Sequence, residues 1–206
     1  MQSKYTITSE DVIYQIEENI LSSVKKTKIE DNNSQVYFTE NINYSMNKEI
    51  FKGKKVLIIT NYNLPKSDKF FFENAIINLK EQTFIAKDTE IEIHKDIFDN
   101  TENDPRLKGV SSSSDNNLTV INKGAFTSCK KNDKCPPWVI NAEVIKHDKS
   151  KKQLIYDHAV LKVYDFPVFY FPKFFHPDPS VKRQSGLLKP QINNSNTLGS
   201  SLTLPY

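Results

Sequence analysis

Two similar stretches of sequence constrain this chain more than anything else in it. Phe72-Glu73-Asn74-Ala75-Ile76-Ile77, a polar turn and Phe84-Ile85-Ala86-Lys87-Asp88-Thr89-Glu90-Ile91 share a layout with Ala142-Glu143-Val144-Ile145-Lys146-His147, a Lys-rich turn and Leu154-Ile155-Tyr156-Asp157-His158-Ala159-Val160-Leu161. Apolar residues recur at period two, so each stretch reads as a hairpin with one apolar and one polar face. A lone hairpin cannot hide such a face from water. Stacked hairpins bury it as one seam, which predicts an all-β fold of the jellyroll or solenoid kind.

The rest of the amino-terminal part reads the same way. Short apolar runs at Thr6-Ile7-Thr8, Asp11-Val12-Ile13-Tyr14, Val36-Tyr37-Phe38-Thr39 and Lys55-Val56-Leu57-Ile58-Ile59-Thr60 are separated by turn-forming residues. Residues 17–26 fit a short helix or a strand, and the return to alternation from Ile29 to Phe38 favours strand. The segment from Asp99 to Asn117, with Ser111-Ser112-Ser113-Ser114, is expected to be a long polar loop that does not pack. Alternation assigns Ile77, Leu79, Phe84, Ala86, Ile91, Ile93, Leu118, Val120, Ile140, Ala142, Val144, Ala159, Leu161 and Val163 to the interior face. On the residues alone this face is either the ordinary core of a sandwich or the lining of an apolar groove.

Composition and the chemistry-bearing residues exclude several function classes. The 28 basic and 25 acidic residues leave a net charge of +3, so no electrostatic footprint for nucleic acid is expected. The two cysteines, Cys129 and Cys135, lack histidines at zinc-site spacing, and a local disulfide closing their Lys-rich loop is the plain alternative. His176 beside Asp178 reads as a solvated loop residue. No nucleophile triad, paired carboxylate or phosphate-binding glycine loop stands out, so no enzyme activity and no cofactor are expected. No run approaches the roughly 20 apolar residues of a membrane-spanning helix, and residues 1–7 lack a signal-peptide core.

The carboxyl-terminal stretch changes character. Phe166-Pro167-Val168-Phe169-Tyr170-Phe171-Pro172 is an aromatic run closed at both ends by residues that cannot donate to a sheet ladder. After a breaker-rich basic connector, Leu187-Leu188-Lys189-Pro190-Gln191-Ile192 and Ser201-Leu202-Thr203-Leu204-Pro205-Tyr206 read as two strands joined by the turn formers Asn193 to Gly199. With Trp138 opening a strand and Arg183-Gln184-Ser185-Gly186 in the connector, this series of motifs resembles the lipopolysaccharide-assembly outer-membrane protein family, LptD, also called OstA or organic solvent tolerance protein.

The resemblance implies a periplasmic β-jellyroll of stacked hairpins over residues 1–173, a connector at 174–186, and the first strands of an outer-membrane β-barrel at 187–206. The chain would then be a piece of a longer one, without its signal peptide and earliest strands, facing the periplasm from the cell outer membrane. The function implied is lipopolysaccharide transport and assembly, with lipid held in a groove of Ile77, Leu79, Phe84, Ile91, Ile93, Val120, Ile140, Ala159, Leu161 and Val163 and released laterally from the barrel. Pro190 and Pro205 would weaken strand pairing at the lateral gate. Lys182, Arg183 and Lys189 would meet lipid head groups or the barrel rim. Cys129 would pair with a cysteine near the barrel's carboxyl end, leaving Cys135 as an additional thiol. The implied partners are lipopolysaccharide, a periplasmic bridge protein joined by strand augmentation, and an LptE-like outer-membrane lipoprotein plug. A free-standing periplasmic jellyroll and a structural β-protein with a filled core are the alternatives.

Overall fold

The computed structural model of the chain describes residues 5–32, 34–94, 104–131, 137–177, 181, 191–195 and 199–203. These residues form strands β1 (Tyr5–Ser9), β2 (Ile13–Gln15), β3 (Ile20–Ser23), β4 (Thr27–Asp31), β5 (Val36–Ser45), β6 (Ile50–Ile59), β7 (Lys69–Asn78) and β8 (Thr83–Glu92). They continue with β9 (Arg106–Ser114), β10 (Leu118–Thr127), β11 (Trp138–Asp148), β12 (Gln153–Val163), β13 (Phe166–Pro177), β14 (Gln191–Ser195) and β15 (Gly199–Thr203). No helix occurs among the described residues. The fold is all-β, as the alternation predicts.

One antiparallel sheet contains the first thirteen strands, and from β5 to β13 each strand pairs with the next in sequence. The two similar stretches are the hairpins β7–β8 and β11–β12, with Ala75 opposite Ala86 and Ala142 opposite Ala159. Both β3 and β4 lie along β5, one on each half of it, while β2 pairs β3 and β1 pairs β4. Residues 17–26, the ambiguous segment, therefore contain strand β3.

The sheet is bent along one line. Midway along each strand from β5 to β13 the inward-facing positions step by three residues instead of two. On β6 they are Phe51 and Gly53, then Val56 and Ile58; on β10 they are Thr119 and Ile121, then Gly124 and Phe126; on β12 they are Leu154 and Tyr156, then Ala159 and Leu161. The positions skipped by that step, Lys55, Glu73, Asp88, Val110, Lys123, Glu143, His158 and Pro172, fall opposite one another from β6 to β13, and all are exposed. On alternate strands the skipped residue is left-handed: Lys55 (φ 47°), Asp88 (51°), Lys123 (48°) and His158 (51°). A left-handed residue inside a strand turns the chain and re-aims the side chains beyond it, so repeating it across the sheet folds the sheet over.

Ring contacts prove the fold-over. Phe84 pairs with Ile77 in the ladder, yet its ring centroid lies 6.4 Å from that of Phe70, near the other end of β7. Seven residues of extended strand span about 23 Å, so the two ends of the hairpin have come together. Tyr37 meets Phe51 at 5.8 Å and Phe126 meets His176 at 5.9 Å in the same way. The facing halves bury two apolar clusters, one around Phe51, Phe72, Ile77 and Leu79 and the other around Ile121, Ile145, Tyr156 and Leu161, with Phe70 packed against both.

Four expectations are corrected here. Strand β9, within the supposed loop, is central to the sheet. Its serines pack because they pair inside: Ser112 Oγ lies 2.6 Å from Thr89 Oγ1, and Ser114 Oγ 2.8 Å from Thr119 Oγ1. The aromatic run is not closed by its prolines, since Pro167 and Pro172 lie within β13, which among the described residues pairs only with β12, leaving its other side with no ladder that needs donors. That strand runs on to Pro177, past Lys173, and carries His176 in from the expected loop: the Tyr156 hydroxyl lies 2.9 Å from its Nε2. Finally, β14 and β15 pair through Asn193, Asn194 and Ser195, leaving residues 196–198 between them, with Gly199 at φ 75°.

Candidate functional site

The folded sheet leaves a cavity of about 340 Å³ between its halves. Its walls are Ile58, Phe70, Phe84, Ile91, Ile93, Leu107, Ile121, Ile145 and Leu154. Its polar positions are Gln35, Thr60 and Asp68, and, from the opposite rim of turns, Gln82, Ser114, Thr119, His147 and Lys149. Both ends of β8 line it, through Phe84 and Ile91, because the strand doubles back at Asp88. Its volume is at the small end for ligand pockets, and its apolar walls with few polar groups are the usual chemistry of one.

Of the residues assigned to a groove, Phe84, Ile91 and Ile93 line this cavity. Ile77 and Leu79 are packed into the first cluster and Ile140, Ala159 and Leu161 into the second, each at most 7% exposed. Val163 is half-buried opposite Trp138 at the end of β12. Val120 is corrected: it faces away from the interior, where its neighbours Thr119 and Ile121 point. The error is one of phase. Counting back by twos from Phe126 reaches Val120 and Leu118, but the three-residue step at Lys123 moves the inward set to Ile121 and Thr119. The same step turns Val144 outward and Ile145 inward. It also brings in Phe70, Leu107, Ile121, Ile145 and Leu154, which strict alternation misses; the three-residue step is the signal that finds them.

Charged groups at the two rims are held differently. On one, Asp68 Oδ1 accepts from the His94 backbone N–H at 2.9 Å and lies 2.7 Å from His94 Nδ1. On the other, Lys149 Nζ donates to Ser114 Oγ at 2.9 Å and to the Asp115 carbonyl at 2.6 Å. Burial holds the Lys149 ammonium below the ordinary lysine value. The Asp115 carboxylate accepts from the backbone N–H groups of Asn117 and Leu118, which lower its pKa. Nearby, Lys146 Nζ donates to Asp157 at 2.6 Å and depresses that carboxyl too.

Among the described residues no group of three or more His, Cys, Asp or Glu is arranged to hold a metal ion. Cys129 is half-buried, with its Sγ 3.7 Å from the Trp138 carbonyl oxygen, and has no disulfide partner among the described residues. Cys135, Pro190, Pro205, Lys182, Arg183 and Lys189 lie outside them. The free side of β13 exposes Phe166 (75%) and Tyr170 (56%), and at the opposite end of the sheet β2 exposes Ile13 (61%), followed by Ile16 (78%).

No protein-family model matches the chain. Curated proteins do. The LPS-assembly protein LptD of Shewanella denitrificans is 28% identical over 182 residues, covering 84% of this chain and 23% of that protein. Its counterpart in a Polaromonas species is 30% identical over 131 residues, 57% of this chain and 16% of the relative. That of Legionella pneumophila is 35% identical over 86 residues, 42% of this chain and 10% of the relative. The chain thus spans at most about a quarter of the length of these relatives. On this similarity the chain is LptD-like, matching the amino-terminal part of those proteins.

Proposed function

We propose that the chain takes part in lipopolysaccharide transport and assembly at the outer membrane, holding acyl chains inside its folded sheet before they pass to a barrel. The observation that carries this reading is the cavity walled by Phe70, Phe84, Ile91 and Ile93 from strand ends that the fold-over brings together. Each methylene sheltered from water is worth about 0.8 kcal/mol, so a lipid with several chains needs such a lining to cross an aqueous space. The similarity to LPS-assembly proteins supplies the class of lipid.

In this reading the periplasmic jellyroll runs to the end of β13 at Pro177, a connector follows to residue 186, and 187–206 are the first barrel strands. Pro190 and Pro205 loosen the seam where the barrel opens, and Lys182, Arg183 and Lys189 meet phosphates at the junction. A periplasmic bridge protein adds its edge beside β1 and β2, where Ile13 and Ile16 are exposed. A lipoprotein plug sits in the barrel, and Cys129 forms its disulfide either with Cys135 or with a cysteine of the barrel.

A second reading, a structural β-protein with a filled core, is favoured by the close packing of Ile77, Leu79, Ala159 and Leu161. Site-specific photocrosslinking to lipopolysaccharide in the intact protein separates the two. Phe70, Phe84 and Ile93 are the test positions, and the exposed Ile85 and Lys87 on the outer face of the same strand are controls. Labelling confined to the test positions supports the groove. Equal labelling of both sets, or none, sinks it in favour of the filled core.

A further inference from the structure

We propose that Lys149 selects anionic amphiphiles, taking the charged end of a ligand at the cavity mouth while its acyl chain lies against Phe70, Phe84 and Ile121. The inference rests on the reading of the interior as a chain-binding groove and adds to it the orientation of the ligand and the residue that recognises its head.

The cavity is chemically two-ended. Its body is apolar, and its polar positions cluster on the rims of turns that border the fold. Several lysines are matched to carboxylates, Lys28 to Glu30, Lys55 to Glu40, Lys108 to Glu90, Lys131 to Glu92, Lys146 to Asp157 and Lys151 to Asp148, while others on the strands, such as Lys54, Lys87 and Lys123, stand in solvent with no ion pair among the described residues. Lys149 differs. Its ammonium is held by a hydroxyl and a backbone carbonyl, both neutral, with no carboxylate bonded to it among the described residues. The nearest carboxylate, that of Asp115, bonds the N–H groups that close the β9–β10 turn and acts on Lys149 through space without a bond to it. The bonds to Ser114 and Asp115 also aim the lysine, since Ser114 itself lines the cavity. Asp68, the carboxylate on the facing rim, is bonded to His94 and so does not neutralise Lys149.

A cation held by neutral groups at the mouth of an apolar cavity favours a ligand that brings a negative charge to it. A neutral chain gains the walls but not the charge, and a free anion gains the charge but not the walls. An acyl chain ending in a phosphate or carboxylate gains both. This orients the ligand with its head at the β11–β12 turn and its tail under the bend of the sheet.

The test uses the full 206-residue chain and displacement of the neutral apolar fluorophore N-phenylnaphthylamine, at fixed ionic strength and below micellar concentrations. Dodecyl phosphate should displace it at about tenfold lower concentration than dodecanol, the range of one charge-assisted hydrogen bond. Lys149→Met should erase that preference without changing dodecanol, and Lys149→Arg should keep it. A preference that survives Lys149→Met overturns the assignment, as does equal displacement by the two probes in the unaltered chain. Displacement by inorganic phosphate alone overturns the amphiphile class. Failure of the fluorophore to bind at all refutes the groove itself, and the inference falls with it.

Discussion

Gly109 offers a sharp test of the bend. It lies on β9 beside the skipped residue Val110, facing inward, and an ideal Cβ built on it would sit 2.3 Å from Ile121 Cγ2 and 3.1 Å from the Asn122 carbonyl oxygen. One contact is with a buried side chain that would have to move, and the other is with backbone in the adjacent strand, which cannot move without shifting the ladder. Overpacking of this kind costs about 1–3 kcal/mol. For a chain of this size that lowers the melting temperature by about 2–12 °C, readable in the fluorescence of Trp138, the only tryptophan. Ile121→Ala removes the offending Cγ2 and, because Ile121 is 3% exposed, costs about 2–5 kcal/mol on its own. The double variant should be less destabilised than the sum of the singles by at least about 1 kcal/mol, since the vacated space admits the new methyl. Strict additivity, or a Gly109→Ala variant as stable as the parent, would refute the close approach of β9 and β10 beneath the bend.

Phe70 packs against both apolar clusters, so Phe70→Ala should cost about 2–4 kcal/mol and broaden the unfolding transition as the halves uncouple; a sharp, unshifted melt counts against a shared core. Tyr156→Phe should cost about 1 kcal/mol, because the fully buried ring loses its hydroxyl bond to His176 Nε2, and Tyr156→Phe with His176→Ala should cost no more than His176→Ala alone. The carboxyls of Asp115, Asp148 and Asp157 are held below their ordinary value of 3.8 by backbone N–H groups in the first two and by Lys146 in the third. Their folded pKa lies below the unfolded one, so the stability they contribute is present above pH 3.8 and is lost as pH falls through the folded values. Asp157→Asn should flatten the acid limb of a stability-against-pH curve, and an unchanged limb would show that Lys146 does not hold that carboxyl.

Much of the strand content was legible in the residues. Alternation located both hairpins of the repeat and most of the apolar positions that became core. It failed at three kinds of place. Ser111-Ser112-Ser113-Ser114 reads as loop because a serine strand is buried only if other strands bring hydroxyls to it, and Thr89 and Thr119 are far away in sequence. Pro167 and Pro172 read as strand stops because nothing local tells that β13 has a free side. Val120, Leu118 and Val144 were placed inward because period two was carried through the bend without the extra residue.

The sequence alone determined that this chain builds hairpins with one apolar face, and its carboxyl-terminal motifs pointed to the LPS-assembly proteins to which the chain is similar. Those properties are local: they depend on side-chain type at period two and on turn formers between runs. Where the faces go is not local. A left-handed residue on every second strand lowers no strand's own energy and leaves no strong mark in composition, yet aligned across the sheet at Lys55, Asp88, Lys123 and His158 it folds the two halves together. The cavity, the pairing of Phe70 with Phe84 and the position of Lys149 at the mouth all follow from that alignment. Only the tertiary structure decided them, because each depends on strands meeting at a distance the sequence does not record.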